Sequence, residues 1–267
     1  MKLAIAGKGG SGKTSISGTM ARLFARRGHN VLAIDGDSNP NLALTLGVDP
    51  DLMDAVPTLP SDLLRRNGGG IELTRPFDEV AATHSLEAPD GVRLLVMALP
   101  KYAGTGCLCS MHAVVKTLIE AAPTGEREVT ILDTEASPEQ FSRGTTEHAD
   151  AVLTVVEPYY KSMETGRRMA ALALDLGIGD IALVANKVRD EFELEAVREF
   201  AELNDLRIAG VVPFDPTMQD AERARSSPFD FDAHAPAVAA INELIDGILA
   251  GGKVAAGSLA NGNGGQP

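Results

Sequence analysis

Seven short, nearly continuous apolar runs recur along the chain: Leu3-Ala4-Ile5-Ala6, Val31–Ile34, Val92–Met97, Val129–Leu132 within Glu128–Asp133, Val152–Val156, Ile181–Ala185 and Ile208–Val212. Runs of four to six residues without polar alternation predict strands buried on both faces, the habit of parallel sheets. Between them apolar residues recur at helical spacing. Ile16, Met20, Leu23 and Phe24 share one face, as do Phe192, Ala196, Phe200 and Leu203. Further helices are expected over about 162–176 and 236–249, and one ends near Ala121. Strands alternating with helices predict an α/β fold, a mainly parallel seven- to eight-stranded sheet with helices on both faces. Residues 1–250 form the expected domain. Within it, 48–90 read as an irregular elaboration, broken by Pro50, Pro57, Pro60, Pro76, Pro89 and Gly68-Gly69-Gly70. Residues 251–267, rich in Gly, Asn and Ala, are expected to be disordered.

The turn after the first run carries chemistry. Gly7-Lys8-Gly9-Gly10-Ser11-Gly12-Lys13-Thr14 sits between a strand and a helix, the context a phosphate-binding loop requires. Its glycines let successive N–H groups point at one anion, and the helix start adds partial positive charge. Gly9, Gly10, Ser11, Gly12, Lys13, Thr14 and Ser15 are therefore the expected nucleotide cradle. Lys13 can reach the β- and γ-phosphates, and the Thr14 hydroxyl can ligate Mg²⁺. Three other strands stop at polar residues. The second runs into Asp35-Gly36-Asp37, the fourth into Asp133-Thr134-Glu135, and the sixth into Asn186-Lys187. Ligands of open α/β sheets bind at strand C-termini, so these groups belong near the phosphates. An acid closing an apolar strand, as Asp133 does, matches a residue that supports Mg²⁺.

Composition narrows the partners. A formal charge of −13 argues against nonspecific nucleic-acid binding and against adhesion to an anionic membrane. No apolar run approaches 18 residues, and the opening apolar stretch is too short for a signal peptide. A cytoplasmic location is expected. The cysteines are Cys107 and Cys109, alone in the chain. A Cys-x-Cys pair supplies half of a tetrahedral thiolate site. A two-fold dimer would supply the other half on its axis. A buried apolar pair or a redox-sensitive pair reads equally from this spacing.

Lys8 lifts the loop out of the general pattern. The form K-G-G-x-G-K-T resembles the deviant phosphate loop of the family that includes the ParA and MinD partition ATPases, the arsenite pump ATPase and the nitrogenase iron protein. That resemblance implies a homodimer in which Lys8 reaches the partner's nucleotide. It also implies that Asp37 orients the attacking water, and that Asp35 supports Mg²⁺ or the loop from behind. Asn186, with Pro213 and Phe214 after the last strand, is implied at the base. Gly106-Cys107-Leu108-Cys109 and the stretch from Asp133 to Thr145 resemble the nickel-inserting maturation ATPases of carbon monoxide dehydrogenase. This implies ATP and Mg²⁺, Ni²⁺ or Zn²⁺ held by Cys107 and Cys109 at the dimer interface, and a client apo-metalloenzyme such as carbon monoxide dehydrogenase. A positioning ATPase without metal cargo and a nucleotide-sensing regulator with negligible turnover are the alternatives.

Overall fold

A computed structural model of the chain describes residues 1–68, 70–98 and 109–251. In chain order the strands are β1 (Lys2–Gly7), β2 (Asn30–Gly36), β3 (Leu64–Asn67), β4 (Gly70–Leu73), β5 (Ser85–Ala88), β6 (Val92–Val96), β7 (Glu128–Thr134), β8 (Ala151–Val156), β9 (Asp180–Val188) and β10 (Arg207–Pro213). Eight of them make one sheet in the order β10-β9-β8-β1-β7-β2-β6-β5. All pairings in it are parallel except β5 against β6 at one edge. The seven expected strands are all present, and β5 is the eighth.

The helices are α1 (Lys13–Arg26), α2 (Leu42–Leu46), α3 (Phe77–His84), α4 (Cys109–Ala121), α5 (Glu139–Ser142), α6 (Tyr160–Asp175), α7 (Glu191–Leu203), α8 (Pro216–Arg223), α9 (Pro228–Phe231) and α10 (Pro236–Gly251). Alternate strand residues feed opposite sides. Leu3 and Ile5 pack with Ile16, Met20 and Phe24 of α1 and Ile241 and Ile245 of α10. Ala4 and Ala6 face Val114 and Leu118 of α4 and Met169 of α6. Helices therefore cover both faces, and each fully buried aliphatic side chain contributes roughly 1.5–3 kcal/mol. Gly166 lets α6 lie close to the sheet, since a Cβ there would stand 2.4 Å from Val156 Cγ1.

Two stretches differ from the sequence pattern. Along α7 the buried residues are Val197 and Ala201, with Leu194 and Phe200 half-buried beside them, whereas Phe192 and Leu203 are 84% and 85% exposed. The buried stripe lies roughly a third of a turn from the expected one. Val197 and Ala201 share a buried cluster with Leu183, Ala185 and Val188, and Phe192 and Leu203 at the helix ends fall outside it. Between residues 48 and 90 the chain forms 3₁₀ turns at Pro50–Ala55 and Ser61–Leu63, the antiparallel β3–β4 hairpin, α3 and the edge strand β5. Leu59, Leu63 and Val80 bury themselves in the same core as α4.

One buried cation ties the segments around α1 together. Arg22 is 3% exposed. Its guanidinium donates to Asp90 ahead of β6, to both carboxylate oxygens of Asp230 in α9 at 2.8 and 2.9 Å, and to the Leu46 carbonyl ending α2 at 2.8 Å. Among the described residues no helix is long and apolar enough to cross a membrane. The expected tail beyond residue 251 lies outside the described residues.

Candidate functional site: a nucleotide cradle at the strand C-termini

Strand register assembles the site. β7 lies between β1 and β2, which sets Asp133 beside Ile5 on one side and beside Asp35 on the other. Both acids thus arrive next to the loop that leaves β1 at Gly7. Gly10 and Gly12 take left-handed backbone, at φ +80° and +97°. A Cβ on Gly12 would also fall 2.2 Å from Asn186 Nδ2. That amide nitrogen donates to Ser11 O at 2.7 Å, so Asn186 braces the cradle from the end of β9. Lys187, at φ +60°, reaches back to donate to Gly10 O, and to Glu157 Oε1 at 2.9 Å.

The loop has the unmet bonding an anion would satisfy. No side chain caps the N-terminus of α1, leaving its first N–H groups without that partner. Ser11 Oγ is buried without a hydrogen-bond partner among the described residues. Lys13 is 6% exposed, yet its ammonium makes one long contact, 3.4 Å to Lys8 O. Burial pushes the Lys13 pKa below the ordinary lysine value, while Asp133, Asp37 and Glu135 pull it back. An uncapped helix start and an unpartnered buried hydroxyl beside a buried ammonium fit a triphosphate.

The acids complete the metal side. Asp133 is buried; its Oδ2 accepts from Thr14 Oγ1 at 2.6 Å and its Oδ1 from Ser17 Oγ at 3.0 Å. Burial raises its pKa, and the Thr14 hydroxyl and Lys13 oppose the rise. A hydroxyl held at the loop by a carboxylate behind it fits Mg²⁺ carried by Thr14, with Asp133 orienting that ligand. Asp35 is fully buried and accepts from the backbone N–H of Asp37, Asn41 and Leu42 at 3.1, 3.0 and 2.9 Å. It therefore shapes the loop that presents Asp37, which is half-buried and accepts from Asn39 N at 2.9 Å.

Asp35 also sets a pH dependence. Burial, then the nearby Asp133 charge, push its pKa up to about 7. The folded chain then keeps a proton that the unfolded chain has already lost, so stability falls as pH rises from the ordinary carboxylate range toward 7. Chemical denaturation of the nucleotide-free, chelated protein should show a loss of roughly 2–3 kcal/mol between pH 5 and 8. The Asp35→Asn variant should show a flatter profile, and an equal slope in both would reject Asp35 as the source.

Of the remaining candidates, Val212 pairs with Asn186, which brings Pro213 and Phe214 to the same end of the sheet. The Arg189 guanidinium lies over the Phe214 ring at 4.6 Å. Lys8 Nζ stands 5.8 Å from the centroid of Tyr159, whose hydroxyl donates to Glu157 Oε2 at 3.1 Å. Cys109 opens α4; Cys107, and with it the expected metal pair, lies outside the described residues. Sequence reasoning missed Ser17, Glu157, Lys187, Ser38 and Gln140. Ser38 Oγ donates to Glu135 Oε1 at 3.2 Å, and Gln140 Nε2 to Gly36 O at 3.3 Å, so the two acidic loops touch. Only Ser17 carried a sequence signal, one helical turn beyond Thr14 on the same face.

Residues 2–229 match the CobQ/CobB/MinD/ParA nucleotide binding domain. The chain belongs to that family. As a CobQ/CobB/MinD/ParA-type protein it is a P-loop ATPase, and the sheet above is its fold. It is 35% identical over 239 residues to the carbon monoxide dehydrogenase accessory protein CooC of Rhodospirillum rubrum, covering 86% of this chain and 90% of that one. An uncharacterized ATP-binding protein of Methanocaldococcus jannaschii is 34% identical over 244 residues, 88% of this chain and 93% of the relative. Among solved structures, the MinD cell division protein of Aquifex aeolicus superposes with a TM-score of 0.69 at 22% identity, over 93% of this chain and 97% of that one. That last likeness is one of fold.

Proposed function

We propose that this ATPase serves the maturation of a nickel enzyme, carbon monoxide dehydrogenase or a close counterpart, in the cytoplasm. The observation that carries the reading is the 35% identity to a carbon monoxide dehydrogenase accessory protein, sustained over nine-tenths of that relative. In this reading two copies pair around ATP, with Lys8 of each reaching the other's phosphates. Asp37 orients a water whose oxygen attacks the γ-phosphorus as the bond to the ADP oxygen breaks, yielding ADP, phosphate and a proton. Lys13 and the cradle N–H groups hold the charge that builds on the phosphate oxygens. Mg²⁺ on Thr14, when bound, neutralises part of that charge. Asn186, Pro213 and Phe214 receive the base.

Cys107 and Cys109 of both copies hold the cargo Ni²⁺, with Zn²⁺ competing for the same four thiolates. Hydrolysis loosens the pairing and releases the metal to the client. Equilibrium dialysis against Ni²⁺ tests the reading. The wild type should take up about one ion per two chains, and Cys107→Ser/Cys109→Ser at least tenfold less at the same free metal. Equal uptake by the two proteins would remove the metal from the function.

A further inference from the structure

Four residues form a continuous path from the loop that presents Asp37 to the helix that begins at Cys109. Gly36 closes β2 immediately before Asp37, and its carbonyl accepts from Gln140 Nε2 at 3.3 Å. The Gln140 carbonyl accepts from Thr145 N at 3.0 Å. Thr145 Oγ1 stands 3.3 Å from His112 Nδ1. His112 lies on α4 one turn after Cys109, and Gln140, Thr145 and His112 are all buried. Burial and the Arg143 charge hold the imidazole below its ordinary pKa, so the ring meets Thr145 as a neutral group with one nitrogen to accept and one to donate. A second tie runs outside the path: Lys116, one turn further along α4, pairs with Glu147 at 2.6 Å. That pair is exposed enough for solvent screening to weaken it.

We propose that His112 is a positioning residue, transmitting a shift of the Gly36–Asp37 loop through Gln140 and Thr145 to the first turn of α4 and so to Cys109. The Gln140 Nε2, Gln140 carbonyl and Thr145 contacts are buried, and breaking any one strands a further donor or acceptor away from water, beside the Gln140 Oε1 that has no partner among the described residues. The path rests on the reading above, in which nucleotide state governs the cysteine pair.

Thiol labelling separates the two claims without metal. Cys107 and Cys109 are the only cysteines, so the rate of modification by a maleimide dye reports on them alone. The full-length, chelated protein is measured with Mg-ADP and with a non-hydrolysable Mg-ATP analogue. In the wild type the two rates should differ by about fivefold or more, the usual span of coupling between sites. His112→Ala and Thr145→Val should bring the ratio within about twofold, with nucleotide affinity and hydrolysis within about threefold of wild type. His112→Asn, which can place an amide near the Nδ1 position, should recover part of the ratio, and Lys116→Ala should leave it intact. A wild-type ratio near one would overturn the nucleotide–cysteine reading itself. A wild-type difference that persists in His112→Ala and Thr145→Val, or that Lys116→Ala abolishes equally, would overturn the path alone. Should His112→Ala fail to fold, the Thr145→Val and His112→Asn ratios decide.

Discussion

Lys13→Ala should yield a folded protein that releases no measurable phosphate from ATP. The Lys13 ammonium is buried at the start of α1 and among the described residues makes no direct carboxylate pair, so it is held ready for an anion. Removing one preorganised donor from a charge-stabilising site costs about 10²–10³ in rate. Lys13 supplies a full charge rather than a dipole, so the loss should reach at least the upper end of that range. Stability of the nucleotide-free protein should hold or rise slightly, because the variant no longer buries an ammonium whose pKa burial already depresses. Phosphate release and a thermal melt, measured on the same preparation, check both halves. Unchanged turnover would place the active site elsewhere.

Arg22→Ala should produce the largest loss of stability of any single polar substitution outside the site. Truncation strands the Leu46 carbonyl and takes the shared guanidinium from two carboxylates, leaving Asp90 with Arg26 at 3.2 Å and Asp230 with the Ser227 hydroxyl at 2.7 Å. Removing one partner of a buried ion pair costs about 3–5 kcal/mol. Asp230 is 44% exposed and can rehydrate, which places the expectation near the low end, about 3 kcal/mol. For a chain of this size that corresponds to a fall in Tm of roughly 6–12 °C. Arg223→Ala, which breaks the exposed pair with Asp220, should stay within about 0.5 kcal/mol of wild type. Equal effects of the two substitutions in denaturant titrations would mean that the buried network contributes nothing special.

Much of this was legible in the sequence, for identifiable reasons. Seven strands could be read because a strand buried on both faces needs a continuous apolar run, and such runs stand out. The cradle could be read because its glycines, Lys13 and Thr14 are adjacent in the chain, so spacing is geometry there. Strand β5 could not be read: Ser85-Leu86-Glu87-Ala88 is short and half polar, and it is a strand because β6 offers it an edge. The burial of Arg22 was equally hidden, since its partners Asp90 and Asp230 lie 68 and 208 residues away. Lys187 and Glu157 escaped because their role depends on a side chain doubling back to Gly10 O. On α7 the large apolar residues Phe192 and Leu203 suggested a stripe that the helix turns to solvent, while Val197 and Ala201 are the ones it buries.

The central position of β1 has a consequence for how the protein comes into being. Its neighbours β7 and β8 lie more than a hundred residues later in the chain, and the cradle's own braces come from equally far. Thr14 meets Asp133 across 119 positions, and Ser11 meets Asn186 across 175. During synthesis the glycine loop therefore emerges long before the walls that shape it. Contacts so distant in the chain close late and slowly. The capacity to hold ATP is thus acquired late in translation, and the nascent chain carries a bare, lysine-bearing loop until the ninth strand arrives.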